Sequence, residues 1–370
     1  MTAYTDLDVS ARILLGPGPS MVPPRVLRAM AHPLVGHLDP QFIHLMNEVQ
    51  ELLRSVFQTD NRLTIPVSGT GSAGMEAALC NFIEPGDSVL VGVNGYFGER
   101  LCEMAGRYGA EVRRLERPWG DVFSPEEIDE TLNEDPAKLV ALVHAETSTG
   151  ALQPMAGIGD VVHRHGALLV LDCVTSLGGV PVEADDWDVD VIYSCTQKCL
   201  SCPPGLAPLT VSPRALDMLR RRKIPVANWY LDLTMIQAYW GSERTYHHTA
   251  PISMNYALRE ALRLVHEEGL DSRFQRHTAN AELLWEGLRA LSLPLHVPRD
   301  HRLPTLTTVK IPQGVDGSSV RERLLREYNV EIAGGLGALK GRVWRIGLMG
   351  DSSRREHILL LLAALEHLLG

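Results

Sequence analysis

The chain has 370 residues, 45% of them hydrophobic and 22% charged, with a formal net charge of -10. Those fractions describe an ordinary globular protein, long enough for one large domain and a smaller one. An acidic chain without a basic run excludes nucleic acid and anionic membrane as expected partners, leaving a small molecule as the default.

The opening MTAYTDLDVSAR carries acids and no apolar core, so it does not read as a secretory signal. The longest apolar stretch, ILLLLAALEHLL, is interrupted and short for a membrane span. Six scattered cysteines are too few for a disulfide scaffold and predict a reducing, cytoplasmic setting.

In chain order, the Gly/Pro loop LLGPGPS leads to PPRVLRAMAHPL, a helix opened by prolines, and then to FIHLMNEVQELLRSVFQ, apolar at spacings of three and four. Alternating units follow: LTIPV then GMEAALCNFI, SVLVGV then FGERLCEMAGRYG, EVRRLE, LVALVH then GIGDVVHRHG, ALLVLD and DVDVIYS. Short β-rich runs alternating with helical ones predict an α/β fold, a mostly parallel sheet sandwiched by helices. The stretch SMNYALREALRLVHEEG reads as a connecting helix. After Gly269 come the helix SRFQRHTANAELLWEGLRAL, strands at PLHVP and TLTTVKIP, a helix at VRERLLREYN, a strand at RVWRIGLM and a terminal helix. We therefore divide the chain into an N-terminal segment, 1–20, a large domain, 21–268, and a small α/β domain, 269–370.

In such sheets ligands bind beyond the carboxyl ends of the strands. After LTIPV stands SGTGSAGMEAAL, where Gly69, Gly71 and Gly74 match the GxGxxG dinucleotide fingerprint. A nicotinamide-dependent dehydrogenase is thus a rival reading. The fingerprint also requires an acid at the end of the next strand, and SVLVGVNGYF offers Asn94 and Gly95 there. What remains is a Gly/Ser/Thr loop at a helix N-terminus, suited to any phosphate or simply a tight turn; a non-catalytic phosphate-binding module is the corresponding weak alternative.

Asp172 ends the apolar strand ALLVLD, where a buried carboxylate needs a cation, an arginine or a turn to cap. Lys198 follows the strand DVIYS at the same expected sheet edge, and a lysine there has its pKa lowered enough to attack a carbonyl. Cys195, Cys199 and Cys202 surround it, but a single CxxC with no second pair is a weak metal signal, and no metal is expected. His247 and His248, adjacent in TYHHT, point apart on any regular element and need not be ligands. Phosphate cup, strand-end Asp and strand-end Lys together describe pyridoxal phosphate: the lysine binds it covalently, the aspartate holds the pyridine nitrogen protonated and the cup holds the phosphate.

At this point the sequence resembles the class V, fold-type I aminotransferases, especially the alanine–glyoxylate and serine–pyruvate group. The likeness runs nearly end to end, through LLGPGPS, VGHLDP, SGTGSAGMEAAL, EPGDSVLVGVNGYFG, HAETSTGALQP, LVLDCVTSLGGVP, YSCTQKCLSCPPG, YHHTAP, RLPTLTTV, IAGGLG and VWRIGLMG. The resemblance implies a large domain with a seven-stranded sheet, with Lys198 and Asp172 in the roles just given. It implies phosphate contacts from Thr70, Gly71, Ser72 and Gln197, and from Tyr246 and Thr249 of a neighbouring subunit, hence an obligatory homodimer with shared active sites. Phe97 would stack on the ring where many relatives place tryptophan, Val174 would pack on the other face, and Thr147 would bond the phenolic oxygen. Arg345 would anchor the substrate carboxylate, with Gly18 of the GPGP loop narrowing the pocket and Thr147 beside it. Expected substrates are small amino acids and 2-oxo acids, with alanine or serine donating to glyoxylate. The alternatives within the group are ureidoglycine, aminoethylphosphonate or phosphoserine as donor. A cysteine desulfurase using Cys199 or Cys202 is discounted because those cysteines sit beside the lysine rather than on a distant loop.

Overall fold

A computed structural model describes residues 6–370; the first five residues of the expected N-terminal segment lie outside the described residues. Seven strands form the central sheet, in the spatial order Leu63–Ser68, Leu206–Val211, Val191–Tyr193, Leu168–Asp172, Leu139–Val143, Ser88–Val93, Glu111–Glu116. Leu206–Val211 runs antiparallel to both neighbours, and the other pairs are parallel. Successive residues of the central strands feed opposite faces, as the two-residue period of a strand dictates. Leu139, Ala141, Leu168 and Val170 join one apolar cluster, whereas Val140, Leu142, Leu169 and Leu171 join the other. A strand covered on both faces has no reason to alternate in polarity, which is why these runs are continuously apolar.

Helices supply the covering layers. On one face Gly71–Cys80 packs through Met75, Ala77 and Ala78, beside Tyr96–Arg107 with Leu101 and Ala105. On the other face lie Pro40–Phe57, whose N-cap Asp39 accepts from Gln41 N–H at 2.8 Å, and Ile252–Glu268. Pro125–Glu134 joins this layer behind a capping box made by Ser124 and Glu127.

The strand Leu206–Val211 is absent from the alternating runs read in the sequence. Pro208 within it argues against a central strand, yet it lies opposite Pro66 and its carbonyl still accepts Ser194 N–H at 2.8 Å. PLHVP, expected to be a strand, makes only an isolated bridge between Leu295 and Val309. Beyond the connecting helix, Leu270–Ala290 and Arg355–Leu369 pack on a three-stranded sheet, ordered Leu306–Lys310, Val343–Gly347, Ala333–Gly334. Its separate apolar cluster centres on Trp344 and Ile346 and takes in Leu15 from the far end of the chain. Ile13–Leu14 pairs in parallel with Val330–Glu331, and Gly347 N–H donates to Leu15 carbonyl at 2.8 Å. That pairing fixes the following residues, 16–20, over the end of the central sheet.

Candidate active site

The parallel strands bring their carboxyl ends to one edge, so the segments that follow them meet even though they are far apart in sequence. Thr70, Gly71, Ser72, Phe97, Asp172, Val174, Gln197 and Lys198 line one cavity of about 320 Å³, with Gly18, Pro19, Met75, Arg100 and Pro204 completing it. Lys198 is anchored through its backbone: Ser20 Oγ donates to its carbonyl at 2.6 Å, and Ser201 N–H donates at 3.0 Å. Its Nζ donates to Pro17 carbonyl. Burial lowers the ammonium pKa, as does the positive charge of Arg345, while Cys195, Cys199 and Asp172 act in the opposite sense. An amine shifted that way is readier to act as nucleophile and base.

Asp172 stands level with Tyr193 on the neighbouring strand, whose hydroxyl donates to Oδ2 at 2.7 Å. Val174 N–H donates to Oδ1 at 2.8 Å. Burial pushes this carboxyl up to about 6, opposed by those two donors and by the charges of Lys198 and Arg100. Both bonds present an acceptor-only carboxylate, the form that a cationic partner in the cavity selects.

The cup begins where Gly69, at φ 130°, turns the chain into the helix, and Thr70 is that helix's N-cap. A Cβ on Gly71 would lie 3.1 Å from Cys195 Cβ and 3.2 Å from Val174 Cγ2, so a side chain there would crowd the cavity wall. Gln197 has a buried Oε1 with no partner among the described residues. Its amide ends exchange by a flip, so the same position also presents an NH2 to an anion. Exposed amides and hydroxyls at a helix start, an orphaned amide, a buried carboxylate and an amine of lowered pKa fit pyridoxal phosphate in donor and acceptor type.

Two of the expected residues, Thr147 and Arg345, lie outside the cavity lining. The Thr147 hydroxyl bonds Thr175, and Thr147 is not among the cavity-lining residues. Arg345 lies behind it, buried, with Nε donating to Gly334 carbonyl at 2.8 Å and Nη1 to Thr147 carbonyl at 3.3 Å. Burial pushes its guanidinium down to about 10, opposed by the charge of Glu146. Tyr246 and Thr249 are exposed and do not line this chain's cavity. His247 and His248 depart from the expectation that they point apart: their Nδ1 atoms meet at 2.7 Å, and His248 Nε2 bonds Ser68 Oγ at 2.8 Å. The alternation argument holds for regular elements, and this segment is neither helix nor strand.

Glu146 escaped sequence reasoning. It is fully buried, its Oε2 accepts Phe97 N–H at 3.0 Å, and its Oε1 accepts the N–H and hydroxyl of Ser148 at 2.9 and 2.6 Å. Ser148 Oγ in turn accepts Tyr96 N–H at 2.9 Å. Glu146 and Ser148 thus cap the helix Tyr96–Arg107 from a distant strand end, since its own N-cap is Gly95. A Cβ on Gly95 would come 2.3 Å from Glu146 Cδ, which explains the glycine by space alone. Nothing local in HAETSTG marks that role; the partners come together only through the sheet.

The cysteines near Lys198 are free and buried. Burial pushes the Cys195 thiol up to about 12 and that of Cys199 up to about 11, the wrong direction for a nucleophilic thiolate. Among the described residues no group of three or more His, Cys, Asp or Glu side chains is arranged to hold a metal ion. Asn94, at the position where a dinucleotide site needs an acid, spends its amide on Asp121 carbonyl at 2.6 Å.

The chain is similar to known proteins over nearly its whole length. The family model described as aminotransferase class V matches residues 12–348. A Bacillus subtilis protein named (S)-ureidoglycine–glyoxylate transaminase is 43% identical, the alignment covering 100% of this chain and 93% of that one. An alanine–glyoxylate aminotransferase of Callithrix jacchus is 41% identical, with 98% and 89% covered. The crystal structure of an alanine–glyoxylate aminotransferase from Nostoc sp. matches with a TM-score of 0.98 at 58% identity, covering 100% of this chain and 98% of that one.

Proposed function

The chain belongs to the class V aminotransferases, fold-type I enzymes that use pyridoxal phosphate, and on that premise we propose that it transfers the amino group of alanine, or serine, to glyoxylate. The products are pyruvate, or hydroxypyruvate, and glycine, formed in two half-reactions at one site. Glyoxylate as acceptor is common to the names of the relatives from Bacillus subtilis and Callithrix jacchus. The observation that carries the small substrate is the closeness of Gly18 to the lysine. A Cβ at that position would lie 2.7 Å from Lys198 Cδ and Cε, so the N-terminal loop closes tightly over the amine and leaves little room for a long side chain.

Bound in the cavity, pyridoxal phosphate supplies an electron sink for the charge left when the substrate's α-carbon loses its proton. The chain's own residues do the rest. Lys198 Nζ would move that proton, as its lowered pKa suits. Asp172, held as an acceptor by Tyr193 and Val174, would face the pyridine nitrogen as an anion and favour its protonated form. Thr70, Gly71, Ser72 and Gln197 would hold the phosphate, and Phe97 and Val174 would flank the ring, while Thr147 would reach the phenolic oxygen only by releasing its hydroxyl from Thr175. Arg345, whose Nε and Nη1 donate to the carbonyls of Gly334 and Thr147, would turn its Nη2 to the substrate carboxylate.

The working unit in this proposal is a homodimer. Leu34, Leu38, Trp229, Tyr230 and Tyr246 are exposed, from 43% to 67%. They form one region, since His37 lies 5.0 Å from Tyr246, Trp229 stacks on His247 at 4.5 Å and Tyr230 meets His248 at 4.8 Å. An apolar region of this kind marks an interaction surface, and His248 ties it to Ser68 at the root of the phosphate cup. Tyr246 and Thr249 then serve the partner's phosphate. A cytoplasmic setting rests on the six free cysteines. Separately, no helix among the described residues is long and apolar enough to cross a membrane.

The second reading keeps every residue role and changes the donor to ureidoglycine, on the strength of the Bacillus subtilis relative. Initial rates for alanine, serine and ureidoglycine against glyoxylate and pyruvate decide between them. Alanine or serine with glyoxylate giving the highest kcat/KM supports the first; ureidoglycine giving it establishes the second.

A further inference from the structure

The groups assigned to the phosphate, Thr70, Gly71, Ser72 and Gln197, are all neutral, whereas a phosphate monoester carries about 1.5 to 2 negative charges at neutral pH. Apart from Lys198, whose amine is committed to chemistry, one cation lines the cavity: Arg100. It sits on the helix Tyr96–Arg107, one turn after Phe97, and the two therefore share a helix face. Its guanidinium carbon lies 4.9 Å from the Phe97 ring centroid and 5.3 Å from that of Tyr96, and Nη1 reaches Ser72 Oγ at 3.4 Å. The arginines around it are neutralised: Arg107 pairs with Glu103, and Arg114 with Glu99 and Glu116. Arg100 makes no such pair among the described residues. Two aromatic rings hold its fork in place without quenching its charge, so it is preorganised and unpaired beside a neutral anion cup.

We propose that Arg100 is a phosphate-binding residue of the cofactor site, its guanidinium supplying the positive charge that Thr70, Gly71, Ser72 and Gln197 lack. The proposal rests on the pyridoxal phosphate reading above. It adds a residue with its own role: the Arg100 side chain discriminates the phosphorylated cofactor from the same ring without phosphate, while Phe97, under the same guanidinium, contacts the ring in both.

The test uses the full chain freed of cofactor, titrated with pyridoxal phosphate and with pyridoxal, and followed by absorbance and by tryptophan fluorescence. Arg100→Met should raise the Kd for pyridoxal phosphate by roughly 10- to 100-fold, the range for losing a hydrogen bond to a charged group. It should move the Kd for pyridoxal less than about twofold, because that ligand offers no phosphate for the lost charge to bind. Arg100→Lys, which keeps charge without the fork, should fall between, and it guards against a Met variant that fails for reasons of folding. Unchanged affinity for pyridoxal phosphate in both variants overturns the proposal. So does an equal loss for both ligands, which would make Arg100 a brace for Phe97 only. A wild-type chain that binds neither ligand would instead overturn the cofactor reading.

Discussion

Asp172 shows how one residue's environment is set by its neighbours and how that can be measured. Burial pushes its carboxyl up to about 6 in the cofactor-free chain, against an ordinary value near 4. Raised in this way, the group contributes stability to the bare fold below the ordinary value and loses it as pH rises through about 6. Cofactor binding runs the other way, because the protonated pyridine requires the anion. Affinity for pyridoxal phosphate should therefore hold above pH 6 and fall by up to about tenfold per unit below it, as the carboxylate takes up a proton. The Asp172→Asn variant should bind weakly and lose that part of the dependence; an identical pH profile in both proteins would contradict the assignment. Asp172 was legible because it ends an apolar run, and Lys198 because it closely follows one at the same sheet edge. Arg100 and Glu146 were not. A partly exposed arginine on a helix resembles any surface charge, and a glutamate whose partners are backbone amides from a different strand end leaves no trace in local spacing.

Among the elements, the helix Tyr96–Arg107 carries Phe97, the proposed ring platform, and depends on a cap that it does not itself possess. Glu146→Gln keeps the shape but turns an NH2 toward amide and hydroxyl donors, leaving a buried donor unsatisfied. It should cost about 1–3 kcal/mol in denaturant unfolding. An unfolding midpoint unchanged from wild type would show that the cap is dispensable. The central parallel strands were readable from the sequence because strands covered on both faces are continuously apolar. Leu206–Val211 was hidden by Pro208, since a proline in a central strand is tolerated only where partners on both sides accommodate it. PLHVP misled for the opposite reason: its composition suits a strand, but only Leu295 finds a pairing partner. The segment 16–20 was read as reaching the active site only through family resemblance. What holds it there is the pairing of Ile13–Leu14 with Val330–Glu331, a contact across almost the whole chain that no local pattern announces.

For the whole molecule, the exposed aromatic and leucine region and the outward-facing Tyr246 predict a dimer. Sedimentation should give twice the chain mass, and Leu38→Glu, which places a charge in that region, should shift the equilibrium toward monomer and weaken cofactor retention together. Dissociation without any loss of cofactor would separate the dimer from the site and contradict shared phosphate binding. In the proposed function these strand ends converge on a lysine that carries pyridoxal phosphate. Borohydride reduction of the purified protein, followed by digestion and mass mapping, tests it most directly. A single cofactor-labelled peptide containing Lys198 is expected, and no such peptide from Lys198→Ala, which also loses turnover. Label on a different lysine, or full transaminase activity in Lys198→Ala, would contradict it.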